Sequence, residues 1–96
     1  MEDRATRLKR LMMRSWRRGT REMDLILGPY AEARLDAMDD DTLDRYEALL
    51  DENDQDLYPW VTARISGGTA GPDRHGGLLD DIAAQAAGRL REIRGA

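Results

Sequence analysis

Residues 40–65, DDTLDRYEALLDENDQDLYPWVTARI, carry the pattern that decides the fold. Apolar side chains recur every three or four residues on each side of a short polar break, which is the period of an amphipathic helix. The aspartates at 39–41 suit a helix start, because carboxylates accept hydrogen bonds from free N–H groups and favour the positive end of the helix dipole. Asn53 and Asp54 supply the next turn and cap. The predicted core positions are Leu43, Tyr46, Leu49, Leu50, Leu57, Trp60, Val61 and Ile65.

The residues before this stretch predict two more helices. Apolar residues recur at helical spacing between Asp3 and Trp16, and again after Gly19, which interrupts the run because glycine is a poor helix former. Gly28-Pro29 should end or kink the second helix, since proline lacks an N–H donor and pushes the residue before it out of the α region. The helix can then resume through Tyr30 and Leu35. Pro59 poses the same problem later in the chain, where the helix should begin late or bend.

The last third of the chain divides into a linker and a helix. Residues 66–77 contain five glycines and one proline, which is typical of a flexible, exposed linker. Residues 78–96 carry a helical stripe that is largely alanine, so this helix should pack weakly. Its predicted inward positions are Leu79, Ile82, Ala86, Leu90 and Ile93. With residues 1–65 as the core, the sequence predicts an all-α bundle of about five helices.

The available residue types argue against an enzyme or a metal site. The 96-residue chain has no cysteine, and its single histidine, His75, lies in the glycine-rich segment. A general base needs a fixed position, so we expect His75 to be solvent-exposed and not catalytic. A calcium loop starting at Asp51 fails, because Asp56 stands where glycine is needed and Thr62 where glutamate is needed. No apolar stretch approaches the length of a membrane span.

Charge is distributed unevenly along the chain. The net charge is −4, yet residues 4–21 hold eight basic residues and no acidic one, whereas residues 35–59 hold ten acidic residues and a single basic one, Arg45. A basic helix of this kind can bind nucleic acid. The rest of the chain is acidic, and no second basic recognition helix follows. A solvated arginine face is therefore the preferred interpretation, and nucleic-acid binding stays an alternative.

Two motifs resemble those of the SdhE family, also called succinate dehydrogenase assembly factor 2. Arg18, Gly19 and Glu22 match its RGxxE motif. Residues 49–60, LLDENDQDLYPW, are similar to its LLE-x-x-D-x-D-L-[FY]-x-W pattern. The resemblance covers roughly residues 5–65. The sequence departs from the family at Pro59 and at Gln55, where a proline is common, and both changes affect the expected geometry of the fourth helix rather than the function.

The resemblance implies a helical assembly factor that binds the flavoprotein subunit of succinate dehydrogenase, or of fumarate reductase, and promotes covalent attachment of FAD. On that reading FAD is handled on the client, and this chain binds no cofactor tightly and is a monomer when free. The expected partner-binding residues are Arg18, Gly19, Glu22, Arg21, Asp24 and Trp16. A generic helical interaction module, or an antitoxin as some members have been labelled, remains an alternative.

The residue chemistry of the first motif suits a docking site. Gly19 has no side chain, so a partner backbone could approach closely. Arg18 and Glu22 are four residues apart and should share one helical face, where Glu22 could hold the guanidinium in place. The plain structural alternative is that Gly19 only separates two helices and that the pair is an exposed contact worth less than about 1 kcal/mol.

Two further expectations concern the aromatic residues and the location of the protein. Trp16 lies beside the motif and is the better interface candidate, because aromatic residues are frequent at interface hot spots. Trp60 should be in the core and Tyr58 at the surface. The arginine-rich start resembles a transit peptide, but Glu2 and Asp3 are acidic. The predicted location is therefore the cytoplasm. Ser15-Trp16 and residues 25–28 resemble the alphaproteobacterial members of the family, and this resemblance implies a bacterial cytoplasm.

Overall fold

The computed structural model of the chain describes the backbone of residues 2–95 and the side chains of residues 2–89. Its five helices are α1 (Arg4–Trp16), α2 (Arg21–Arg34), α3 (Asp40–Leu50), α4 (Asp54–Ile65) and α5 (Gly76–Gly95), with short 3-10 turns at Leu35–Ala37 and Asp73–His75. The predicted all-α bundle is confirmed. Within the described range, no helix combines the length and the apolar character that crossing a bilayer requires.

Side-chain caps set the starts of three helices. Asp3 accepts a hydrogen bond from the Thr6 backbone N–H at the start of α1, and Asp39 does the same for Thr42 at the start of α3, both at 2.8 Å. Thr20 accepts one from Met23 at the start of α2. Each cap satisfies a backbone donor that the first helical turn leaves free. Asn53 stands at the predicted cap position, directly before α4, but its side chain makes no capping hydrogen bond.

The core is built from the apolar stripes of all five helices. Of the predicted core residues in α3 and α4, six are buried, and Trp60 and Ile65 pack against the core while partly exposed. The fully buried Tyr46 shares a 2.6 Å hydrogen bond between its hydroxyl and Ser15 Oγ. Burial raises the pKa of Tyr46 to about 12, because the charged phenolate would lose its hydration.

Neither internal proline ends its helix. Of the two outcomes predicted for Gly28-Pro29, the helix does not end there: α2 continues to Arg34, in line with the predicted resumption through Tyr30. Pro29 cannot donate to the Leu25 carbonyl four residues earlier; instead, Arg89 Nη1 of α5 donates to that oxygen at 3.2 Å. A hydrogen bond from another helix thus replaces the missing one. The prediction of a late start for α4 is wrong, because α4 begins at Asp54 and runs through Pro59.

The segment predicted as a linker is organised by Arg64. Its buried guanidinium donates to the carbonyls of Ala70 and Gly76, at 2.8 and 3.3 Å, and pairs with Asp80 at 2.7 Å. The helix that follows starts at Gly76 rather than at residue 78. Arg64 therefore ties α4 directly to the start of α5.

His75 and the first turns of α5 are buried, contrary to prediction. His75 is only 2% exposed, because its ring lies 6.5 Å from that of Trp60 and its Nε2 is 3.1 Å from Glu52 Oε2. Leu79 and Ile82 are fully buried, so the predicted weak packing of this helix is wrong for its first two turns. The predicted core positions Leu90 and Ile93 lie outside the described side chains.

Candidate functional site

The RGxxE motif spans the break between α1 and α2 rather than one helical face. α1 ends at Trp16 and α2 begins at Arg21, so Arg18 and Glu22 do not lie in the same helix. The predicted helical pairing of these two side chains is therefore wrong. Glu22 lies exposed in the first turn of α2, where a carboxylate is favoured by the helix dipole.

Arg18 points into the protein and holds the turn between α3 and α4. Its Nη1 and Nη2 donate to the backbone carbonyls of Leu50 and Glu52, each at 2.8 Å. Its Nε donates to Asp54 Oδ1, also at 2.8 Å. The planar fork of a guanidinium suits such a set of acceptors. Arg18 is thus a structural residue that joins the first motif to the second.

Asp54 is the counterpart of Arg18 and fixes the shape of the motif loop. Its Oδ2 accepts a hydrogen bond from the Thr20 backbone N–H at 2.9 Å, while Oδ1 binds Arg18. The two side chains are 9% and 8% exposed, so this is a buried ion pair. A Cβ placed on Gly19 would lie 3.2 Å from Asp54 Oδ2. An added side chain at position 19 would therefore crowd this carboxylate, which would have to shift by a few tenths of an ångström.

A second acidic residue closes the loop from the other side. The Asp24 side chain accepts a hydrogen bond from the Arg18 backbone N–H. Arg18 and Asp24, two of the six predicted partner-binding residues, are thus occupied by internal contacts. Arg21 and Glu22 are exposed on α2, and Gly19 is exposed in the loop.

Trp16, the aromatic interface candidate, has a structural role as well as an exposed edge. It is 37% exposed. A Cβ on Gly28 would lie only 2.3 Å from the Trp16 Cδ2 atom. The indole therefore rests on the backbone of α2 at Gly28, which explains why glycine occupies a helix interior where it costs stability.

The exposed part of the motif continues onto α4. Gly19 and Thr20 line an open depression of about 460 Å³, and Glu22 and Tyr58 line a neighbouring one of about 400 Å³. Gln55 borders both. We call this surface the Gly19 face and define it as Gly19, Thr20, Glu22, Gln55, Tyr58 and Pro59, all of which are exposed.

Sequence reasoning missed the role of Asp54 in this site. The residue was interpreted as a helix cap, whereas its carboxylate joins two segments 36 residues apart. The signal was present, because Asp54 belongs to the second of the two motifs that the chain carries. Two distant motifs with complementary charges could have been tested as a contacting pair. Tyr58, by contrast, was correctly predicted to lie at the surface.

The basic stretch of α1 is largely neutralised within the protein. Three of its arginines form ion pairs with α3 and its C-terminal cap: Arg7–Asp44 at 2.6 Å, Arg7–Glu47 at 3.1 Å, Arg10–Glu47 at 2.8 Å and Arg14–Asp51 at 2.8 Å. Arg4 and Arg18 pair with Asp40 and Asp54. Five of the eight basic residues thus have acidic partners, which removes the main support for a nucleic-acid surface.

Comparison with known proteins gives a consistent picture. The family Sdh5, described as flavinator of succinate dehydrogenase, matches residues 9–84. The mitochondrial succinate dehydrogenase assembly factor 2 of Meyerozyma guilliermondii is 46% identical over 61 residues, which are 64% of this chain and 45% of that protein. Proteins of the same name from Penicillium rubens and Mycosarcoma maydis are 44% identical over 61 residues and 41% over 63. The matches cover 64% and 66% of this chain and 20% and 26% of theirs.

These matches correct one prediction and confirm another. The predicted bacterial cytoplasmic location is wrong, because the relatives are fungal proteins named as mitochondrial. The chain spans less than half the length of these three relatives. The family predicted from the two motifs is confirmed by a match that covers most of the chain. The chain belongs to the Sdh5 family, the flavinators of succinate dehydrogenase.

Proposed function

We propose that this chain is a non-enzymatic assembly factor that binds the flavoprotein subunit of succinate dehydrogenase through the Gly19 face and promotes covalent attachment of FAD to that subunit. The family description supports the flavin link. The observation that carries the site is the flat, exposed Gly19 loop held by the buried Arg18–Asp54 pair. The names of the relatives favour a mitochondrial place of action.

A rigid loop is well suited to docking. Binding costs free energy when loops and side chains must be ordered, so a surface fixed in advance binds more tightly for the same contacts. The Gly19 loop is fixed by Arg18, Asp54 and Asp24 before any partner arrives. Its backbone can approach a partner closely, and the Glu22 carboxylate beside it can accept hydrogen bonds from partner donors.

The chemistry of the Gly19 face favours binding over catalysis. It presents a glycine, a hydroxyl, a carboxylate, an amide and a phenol on open depressions rather than in a closed cleft. Ligands that bind tightly are usually enclosed on most sides. FAD would therefore remain on the flavoprotein while this chain, as a monomer, holds its client in a conformation that allows attachment. The flavoprotein subunit of the related fumarate reductase is a second client, to which FAD would be attached in the same way.

Co-expression with the succinate dehydrogenase flavoprotein, in cells that lack their own factor, tests the proposal. Covalent flavin is read from in-gel fluorescence of the flavoprotein band. We expect this chain to increase the signal, and Gly19→Arg to abolish the increase by placing a long side chain on the Gly19 face. Gly77→Arg is the matched control, because Gly77 is exposed in α5 with no neighbouring atom within 4 Å of an added Cβ.

A second variant separates docking from folding. Gly19→Arg also presses on Asp54, so Glu22→Arg is included, because Glu22 is exposed and its replacement leaves the loop contacts intact. We expect Glu22→Arg to fold with unchanged helicity and to lose most of the flavin signal. Equal covalent flavin with and without the wild-type chain would refute the function. Full activity of both variants would refute the assignment of the site.

A further inference from the structure

A groove between α2, α4 and α5 adjoins the Gly19 face. It is lined by Leu25 and Ile26 of α2, by Tyr58 and Ile65 of α4, and by Ala86 and Arg89 of α5. The groove encloses about 340 Å³. It shares Glu22 and Tyr58 with the Gly19 face, so a partner seated on that face reaches the groove without a gap.

The groove exposes apolar surface that the fold does not use. Leu25 is 50% exposed and Tyr58 is 42% exposed. Ile26 and Ile65 are partly buried and pack against the core, so they form a fixed apolar floor. Leu25 lies on the side of α2 opposite the buried Met23 and Leu27. This apolar surface, continuous with the Gly19 face through Glu22 and Tyr58, is therefore open to a partner.

Opposite charges line the groove. The Glu22 carboxylate, shared with the Gly19 face, is the acidic member, and the Arg89 guanidinium of α5 is the basic one. Arg89 is held there by its hydrogen bond to the Leu25 carbonyl, the oxygen that Pro29 leaves without its helical donor. This bond uses one of the five guanidinium N–H donors. A complementary occupant would carry a basic group near Glu22, an acidic group near Arg89 and apolar groups between them.

We propose that this groove receives an amphipathic helix of the flavoprotein subunit, with a basic residue facing Glu22 and an acidic residue facing Arg89. This inference rests on the proposed function and names the second contact of the same client. A segment that adds as a β-strand would need free backbone groups to pair with. The groove walls are α-helices whose backbone groups bond within the helices, and Arg89 already occupies the Leu25 carbonyl. A helix satisfies its own backbone and needs only the apolar floor and the two charges.

Two exposed apolar residues provide a matched test. Leu25 is 50% exposed in the groove, and Met13 is 49% exposed on α1, outside it. The affinity of the full chain for the purified flavoprotein subunit is measured by titration calorimetry for wild type, Leu25→Asp and Met13→Asp. We expect Leu25→Asp to weaken binding at least about tenfold, as loss of an anchor side chain does at an interface. Met13→Asp should stay within about twofold of wild type.

A second groove variant guards against effects of the added charge. Ala86→Trp fills the groove from α5 without adding a charge, and we expect it to weaken binding as Leu25→Asp does. Circular dichroism melting of each variant confirms that the bundle is folded. Weaker binding by both groove variants, with Met13→Asp unaffected, supports the groove as a client contact.

The outcomes separate this inference from the proposed function. If the wild-type chain neither binds the flavoprotein nor raises its covalent flavin, the function fails and the inference with it. If the wild-type chain does both, but Leu25→Asp and Ala86→Trp match Met13→Asp, the inference is overturned and the function stands. Concentration-dependent dimerisation of the free chain that Leu25→Asp abolishes would show that a second copy fills the groove, which also overturns the inference.

Discussion

Asp54→Ala should destabilise the protein far more than removal of an exposed acid of the same kind. The substitution leaves the Arg18 guanidinium, which is 9% exposed, without its counter-charge, and it removes the acceptor for the Thr20 backbone N–H. Breaking a buried ion pair from one side costs about 3–5 kcal/mol, because the remaining charge stays buried. The total stability of a small domain is only about 5–15 kcal/mol. The variant should therefore lose a large part of its free energy of unfolding.

Asp44→Ala is the matched control for this prediction. Asp44 pairs with Arg7 at 2.6 Å, but its side chain is 71% exposed. Exposed pairs contribute less than about 1 kcal/mol, so Asp44→Ala should shift the urea midpoint only slightly. Urea unfolding is followed by circular dichroism at 222 nm. In thermal scans, each kcal/mol lowers Tm by about 4–8 °C for a domain of this size.

The comparison of the two variants decides the argument. Asp54→Ala should lower Tm by at least about 12 °C. This follows from a loss of about 3 kcal/mol and a shift of about 4 °C for each kcal/mol. Asp54→Asn keeps the shape of the side chain and should fall between wild type and Asp54→Ala. If Asp54→Ala proves no more damaging than Asp44→Ala, the Arg18–Asp54 pair does not hold the motif loop, and its rigidity cannot be part of the docking site.

Two further predictions concern packing and pH. Gly28→Ala should destabilise the protein by about 1–3 kcal/mol and change the fluorescence of Trp16, because the new Cβ would lie 2.3 Å from the indole. Gly88→Ala, where an added Cβ meets nothing within 4 Å, should instead stabilise α5 by up to about 1 kcal/mol. If Gly88→Ala proved less stable than Gly28→Ala, the packing of Trp16 on Gly28 would be refuted. The hydrogen bond from Arg10 lowers the pKa of Glu47 below its ordinary value of 4.5. Glu47 therefore contributes stability that is fully present above pH 4.5 and is lost as the pH falls through its lowered pKa. Glu47→Gln should flatten the acid limb of a curve of unfolding free energy against pH. An unchanged acid limb would contradict the role of the Arg10–Glu47 pair.

The parts of the fold that depend on local pattern were predictable. The apolar stripes of α3 and α4 and the cap at Asp39 depend on residues at most four positions apart, so spacing and residue type suffice. The same holds for the surface position of Tyr58. Family motifs gave Gly19 and Glu22, and the structure leaves both exposed.

Several differences from the sequence predictions involve polar pairing between distant segments. Where α2 runs through Pro29, a guanidinium 64 residues beyond Leu25 bonds to the freed carbonyl. His75 is buried because Glu52, 23 residues earlier, supplies a partner for its ring. Arg18 finds Asp54 rather than Glu22 for the same reason. Helical periodicity carries no information about such pairs, because they form only once the helices have packed.

Through the ion pairs between α1 and α3, the arginines of the first helix neutralise carboxylates of the third within the same protein. A chain that began at residue 15 would lose Arg7, Arg10 and Arg14 together and leave Glu47 without its two arginine partners. Like charges on one helix face repel, so the face of α3 that packs on α1 would be destabilised. Removal of Glu2 and Asp3 alone would already take away the Arg10–Glu2 pair and the cap of α1. Proteolysis at this end of the domain would thus weaken α3 as well as α1.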